Sequence, residues 1–126
     1  GTAATVAVIL LAVFALSLLV IGFFPRDTRG TPVTATGRLH NLLAFGAFGS
    51  VTAAAFVVAG AIHDAGDPGL ASASTWLGVV MAVGAVALFV TARVERAKRW
   101  FGAAERLIYV GFILWFAAIG VAGLVG

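Results

Sequence analysis

Residues 2–24 read TAATVAVILLAVFALSLLVIGFF, a run without one charged side chain that stops at Pro25-Arg26-Asp27. About 20 such residues, wound as a helix rising 1.5 Å each, cross a hydrocarbon core of roughly 30 Å. A cleavable secretion signal fits poorly, because no basic stretch precedes the run and its apolar part exceeds the ~7–15 residues usual there. The run is expected to be a true membrane span. Its closing pair, Phe23 and Phe24, falls where an interfacial aromatic belt lies, and proline and charge end the helix.

Three more runs of this kind follow, at about 39–62, 75–92 and 107–125, and the run at 75–92 has an alternative start at Ser72. The expected fold is all-α: a polytopic transmembrane helix bundle, one domain over 1–126 with four transmembrane helices. Composition agrees, with 62% hydrophobic and 10% charged residues against roughly 45–50% and 25% in a soluble domain. The chain opens at Gly1 instead of Met, which leads us to expect a longer parent protein.

A sequence pI near 10.7 raises nucleic acid as a partner, but the cations are distributed otherwise. Arg26, Arg29 and Arg38 lie between spans one and two, and Arg93, Arg96, Lys98, Arg99 and Arg106 between spans three and four. Four crossings put both groups on one side, while the segment 63–75 carries Asp64 and Asp67 and no cation. The positive-inside rule then places loops 25–38 and 93–106 in the cytoplasm, with the observed termini outside the cell membrane. Membrane topology accounts for the charge, and no nucleic-acid partner is expected. Without cysteine there is neither a disulfide framework nor a thiolate metal site.

Small residues recur at four-residue spacing: Gly46, Ser50 and Ala54, then Gly78 with Ala82, and Ala118 with Ala122. Such stripes let helices approach closely in lipid, either within one bundle or against another subunit. Between spans three and four, cations alternate with aromatics from Arg93 to Phe101. As a helix, this stretch sets Val94, Ala97, Phe101 and Ala104 on one face and Trp100 at headgroup level, with Arg96 and Arg99 facing anionic phosphates. A loop that merely sets topology would look the same.

Chemistry has few candidates. Asp27, His40, Asn41, Glu105 and Arg106 fall near one membrane face; His63, Asp64 and Asp67 fall near the other, ~30 Å away. The two histidines therefore cannot share a centre, and no metal or cofactor is expected. The first group could in principle hold a metal, relay protons or position a headgroup, with Asp27, His40 and Glu105 as acid, base or ligand candidates and Arg38, Asn41 and Arg106 at the interface. The favoured reading is a structural network in which Glu105 or Asp27 pairs with Arg38 or Arg106. No span carries charge near its middle, which disfavours an ion-coupled transporter, and the common hydrolase, zinc-protease and phosphate-loop motifs are missing.

Phe24-Pro25-Arg26-Asp27, then Gly37-Arg38-Leu39-His40, then Gly102-Ala103-Ala104-Glu105-Arg106-Leu107 with Trp115 further along the same helix, resembles the pattern of the bacterial and archaeal membrane proteins of domain-of-unknown-function family 998. The resemblance implies a six-span bundle, of which this chain holds the last four spans, with two more before Gly1. It also implies that Asp27, His40, Glu105 and Arg106 occupy the family's corresponding positions. It implies no agreed activity, substrate or cofactor.

Two functions are expected from this reading. One is a non-catalytic accessory or scaffold subunit, packing in the membrane against other subunits or its own copies. The other is a membrane enzyme or lipid-handling protein with a headgroup-level site at Asp27, His40, Glu105 and Arg106. Membrane lipids are partners in either case.

Overall fold

The computed structural model describes residues 1–28 and 30–125; Arg29, counted above with the first basic loop, lies outside the described residues, as does Gly126. Four helices follow in order, α1 (Thr2–Ile21), α2 (Ala35–Asp64), α3 (Pro68–Arg93) and α4 (Phe101–Val125), with a 3-10 helix (Glu95–Trp100) before the last. There is no strand among the described residues. All four helices are long and apolar enough to cross a membrane, and the chain is a multi-pass membrane protein built as a helix bundle.

The helices outrun the apolar spans because polar caps start and stop them. Thr34 opens α2, its hydroxyl accepting from the Gly37 N–H at 3.0 Å, so the helix begins about one turn before the apolar run at 39. Asp67 opens α3, its carboxylate accepting from the Leu70 N–H at 3.0 Å with Pro68 in the first helical position. That start lies roughly two turns before residue 75, and hydropathy alone does not reveal it. Between them α2 closes on Gly66, whose φ of +95° suits only glycine without strain. The Gly66 N–H donates to the His63 carbonyl and the Asp67 N–H to that of Ile62, satisfying the last carbonyls of α2 and reversing the chain within three residues. The stretch 94–101 departs from the α-helical expectation: Val94 is extended and 95–100 form a 3-10 helix. Val94 is exposed and leaves the shared face, while Ala97 and Phe101 are half-buried and Ala104 is buried.

Consecutive helices pack side by side, and α2 meets α4 only sparsely. The core centres on α2, where Ala47, Val51, Ala54 and Ala55 are fully buried beside Phe14, Met81 and Trp115. Aromatic rings join α1 to α4: Phe14 lies 5.4 Å from Phe112 and 5.7 Å from Phe116, centroid to centroid. One polar chain crosses this core. The Trp115 indole N–H donates to Ser74 Oγ at 2.8 Å, and that hydroxyl donates to the Ala55 carbonyl at 2.7 Å. Outside, Leu19 is 72% exposed and Leu124 88%. Such surface is unfavourable in water at about 25 cal/mol per Å² and at home against acyl chains.

The small residues divide by direction. Ser50 and Ala54 are buried and Gly46 faces Ser17 of α1, while Gly78 receives the ring of Phe56; Ala82 turns outward and is half-buried. The closest helix-to-helix fit lies between α3 and α4 and is reciprocal. A Cβ on Gly84 would stand 2.7 Å from Ile108 Cγ1 and 3.2 Å from the Ile108 backbone nitrogen, and one on Gly111 would stand 2.6 Å from Met81 Cγ.

Gly84→Ala is expected to destabilise the bundle more than Gly111→Ala, because a backbone nitrogen cannot turn aside and a methionine can. Gly49→Ala, with nothing within 4 Å of its Cβ position, should be neutral or stabilising by up to about 1 kcal/mol through helix propensity. Thermal unfolding in mild detergent ranks the three, and equal losses at 49 and 84 would contradict the packing described.

Candidate functional site

The polar residues singled out in the sequence gather around one short segment, Phe24-Pro25-Arg26-Asp27, where α1 ends. The N–H groups of Phe23 and Phe24 turn back onto Val20 and Ile21 at 3.0 Å each, and Pro25 cannot continue the helix. The Phe24 carbonyl and the Arg26 and Asp27 side chains meet His40, Glu105 and Thr34 respectively. All three contacts lie at the end that carries the described basic residues.

Asp27 belongs to the start of α2. Its carboxylate accepts from the Thr34 hydroxyl at 2.6 Å and the Thr34 backbone N–H at 3.0 Å, while the same hydroxyl caps Gly37. The carboxylate lies against buried Gly37 so closely that any Cβ there would collide with it. A carboxylate near a helix N-terminus also meets the positive end of the helix dipole. The hydrogen bonds from the Thr34 hydroxyl and then its N–H hold the Asp27 carboxyl below its ordinary value; Arg38 acts in the same direction more weakly.

His40 Nδ1 lies 2.8 Å from the Phe24 carbonyl. A carbonyl oxygen only accepts, so Nδ1 carries the hydrogen of this contact. Glu105, in the first turns of α4, pairs with Arg26 at 2.6 Å and not with Arg38 or Arg106 as the sequence had suggested. The Arg26 guanidinium also lies 5.2 Å over the ring of Phe101, within cation–π range. Arg26 thus ties the α1–α2 connection to the entry of α4. Sequence reasoning had given it a topological role only, and the FPRD tetrad was the signal available.

Asp27, His40 and Glu105 are held by separate partners, and no three imidazole or carboxylate groups come together as a metal-ligand set among the described residues. Arg38, Asn41 and Arg106 are exposed. So are Arg96, Arg99 and Trp100, with the Arg99 guanidinium 5.3 Å over the Trp100 ring. Lys98 pairs with Glu95 at 2.7 Å. His63 stands at the far end of α2, roughly 35 Å along the helix from His40, and lies 3.8 Å from Asp64. What this arrangement does chemically is fasten: Arg26, Asp27, His40 and Glu105 each order a loop or a helix start.

Asp27 is ionised more readily in the fold than in the unfolded chain, so its contribution is complete above the ordinary carboxylate range, near pH 4, and is lost as pH falls through its lowered value. Asp27→Asn is therefore expected to unfold at a lower temperature than the parent at neutral pH, with the gap closing below about pH 4. A gap unchanged between about pH 7 and pH 3 would show that ionised Asp27 does not hold Thr34.

No curated protein and no solved structure matches the chain. The family model described as "Protein of unknown function (DUF998)" matches residues 1–122. That stretch contains the FPRD tetrad, the Gly37–His40 motif and the GAAERL entry to α4 with Trp115, and the chain belongs to this family.

Proposed function

We propose that the protein is a non-catalytic accessory or scaffold subunit of a larger membrane assembly, packing laterally against other subunits or its own copies. The observation that supports it best is that Asp27, Glu105 and His40 are each engaged in fastening loops to helix starts. A membrane enzyme working through these groups and Arg106 has less support, since Asp27, His40 and Glu105 are each held by a separate partner. Lateral packing draws on the outer surface, where large side chains of α1 and α4 such as Leu16, Leu19, Ile113 and Leu124 stand well exposed, and on Gly120 and Gly123, which have open space around them. Small residues of that kind admit a neighbouring helix.

In this reading loops 25–38 and 93–106 face the cytoplasm of the cell, and the observed termini face outward. The gathering of Arg26, Arg38, Arg93, Arg96, Lys98, Arg99 and Arg106 toward one end supports that orientation.

One experiment in native membranes addresses both statements, using the full-length chain with a single engineered cysteine. Thr31→Cys should resist a membrane-impermeant maleimide in intact cells and Ala65→Cys should react, and crosslinking before gentle extraction should recover a stoichiometric partner or a second copy. Labelling of the opposite pair would reverse the orientation. A lone monomer after crosslinking would overturn the subunit reading.

A further inference from the structure

The lipid-facing side of α3 carries a shallow apolar groove of about 490 Å³, lined by Ala82, Val83, Val86, Ala87, Val90 and Thr91. Ala82 and Ala87 are its small residues, while Val83, Val86 and Val90 stand exposed beside them. Residues 82–91 rise roughly 14 Å along the helix, close to the ~15 Å hydrocarbon depth of one leaflet. Thr91 Oγ1 bonds to its own helix at the Leu88 carbonyl, so the groove offers an incoming chain no unsatisfied hydroxyl.

At its end the groove meets cations. Arg93 follows Val86 by two helical turns and Val90 by one, which sets it on the same side of α3. Its guanidinium lies 4.7 Å over the ring of Phe89, which is itself 55% exposed, so the charge is held back against the last turn of the helix. Arg96 follows on the 3-10 helix that packs against α3. Neither arginine pairs with a carboxylate among the described residues, whereas Lys98 is matched by Glu95. An apolar channel one leaflet deep, with Arg93 on the same side of the helix and Arg96 three residues further along the chain, has the polarity of one molecule, an amphiphile with a single anionic head.

We propose that this face of α3 binds an anionic phospholipid of the leaflet on the basic side, one acyl chain lying along Val86 and Val90 and the headgroup phosphate held by Arg93 and Arg96. The site lies apart from the Asp27, His40 and Glu105 contacts and does not depend on the subunit reading. Guanidinium suits the phosphate because its planar fork donates two parallel hydrogen bonds to two oxygens. The acyl chain gives the selectivity that bare surface charge lacks, since a free anion gains nothing from the groove.

The test uses the full-length protein reconstituted in vesicles of phosphatidylcholine alone or mixed equally with phosphatidylglycerol, with retained lipid counted by native mass spectrometry. Phosphatidylglycerol should be retained in preference to phosphatidylcholine. Arg93→Gln with Arg96→Gln should weaken that preference roughly twenty- to thirtyfold, and Val86→Phe, which fills the groove without altering charge, should weaken it as well. Arg38→Gln, a cation on another helix, should leave most of it, and helicity by circular dichroism confirms that each variant is folded. Equal retention of the two lipids overturns the proposal. So does a preference that Arg38→Gln lowers as much as the double variant and Val86→Phe leaves intact, which would be diffuse surface charge. Displacement of the lipid by inorganic phosphate would reassign the arginines to a free anion, and a protein crosslinked through position 86 would reassign the groove to a helix.

Discussion

The hydrogen bonds from Trp115 through Ser74 to the Ala55 carbonyl constrain this bundle more than any apolar contact in it. In a hydrocarbon surround no water reaches a buried indole N–H, so its partner must come from the protein. Trp115 and Ser74 are each 1% exposed, and the three residues belong to α4, α3 and α2. Apolar packing by itself is nearly indifferent to how lipid-soaked helices rotate about their axes, because lipid tails are as apolar as leucine. The indole removes that indifference by fixing the rotation of three helices together. Once they are set, Gly84 comes to face Ile108 and Gly111 comes to face Met81. α1 then joins through α2 and through the rings around Phe14.

Four crossings, the helical class and the gathering of cations toward one end were legible because each rests on a property summed over many residues. The interactions that fix the bundle were not, because each depends on a single helical phase. Ser74 lies at the edge of the third apolar run, within it only where that run extends back to Ser72, and Asp67 and Pro68 set the true start of α3. Trp115 stood out only through a family pattern. Asp27, His40 and Glu105 were recognisable as neighbours of one membrane face, yet their partners turned out to be Thr34, the Phe24 carbonyl and Arg26. Loop geometry decides such pairings, and Arg26 could not be separated from Arg38 or Arg106 by spacing alone. The break at Val94 was hidden because a run of Arg, Lys and Ala has ample helix propensity, yet Val94 is extended and a 3-10 helix follows it.

The two ends of the molecule differ in kind. At the end without cations a three-residue reversal closes on Gly66, and His63 and Asp64 are left in the open. The basic end is worked into structure, with Arg26, Asp27 and His40 binding loop to helix. Arg93 and Arg99 lie over the rings of Phe89 and Trp100. The described helices turn many large apolar side chains outward, as surface in contact with acyl chains does.

The most direct test of the account is a double-mutant cycle between Ser74 and Trp115, read by reversible unfolding in mild detergent. Ser74→Ala alone should cost about 1–3 kcal/mol, because it strands a buried indole N–H. In a Trp115→Phe background, where no such donor exists, the same change should cost about 1 kcal/mol less. Strictly additive losses would mean that the indole and the hydroxyl do not act together, and that something other than this hydrogen-bonded chain sets the rotation of the helices.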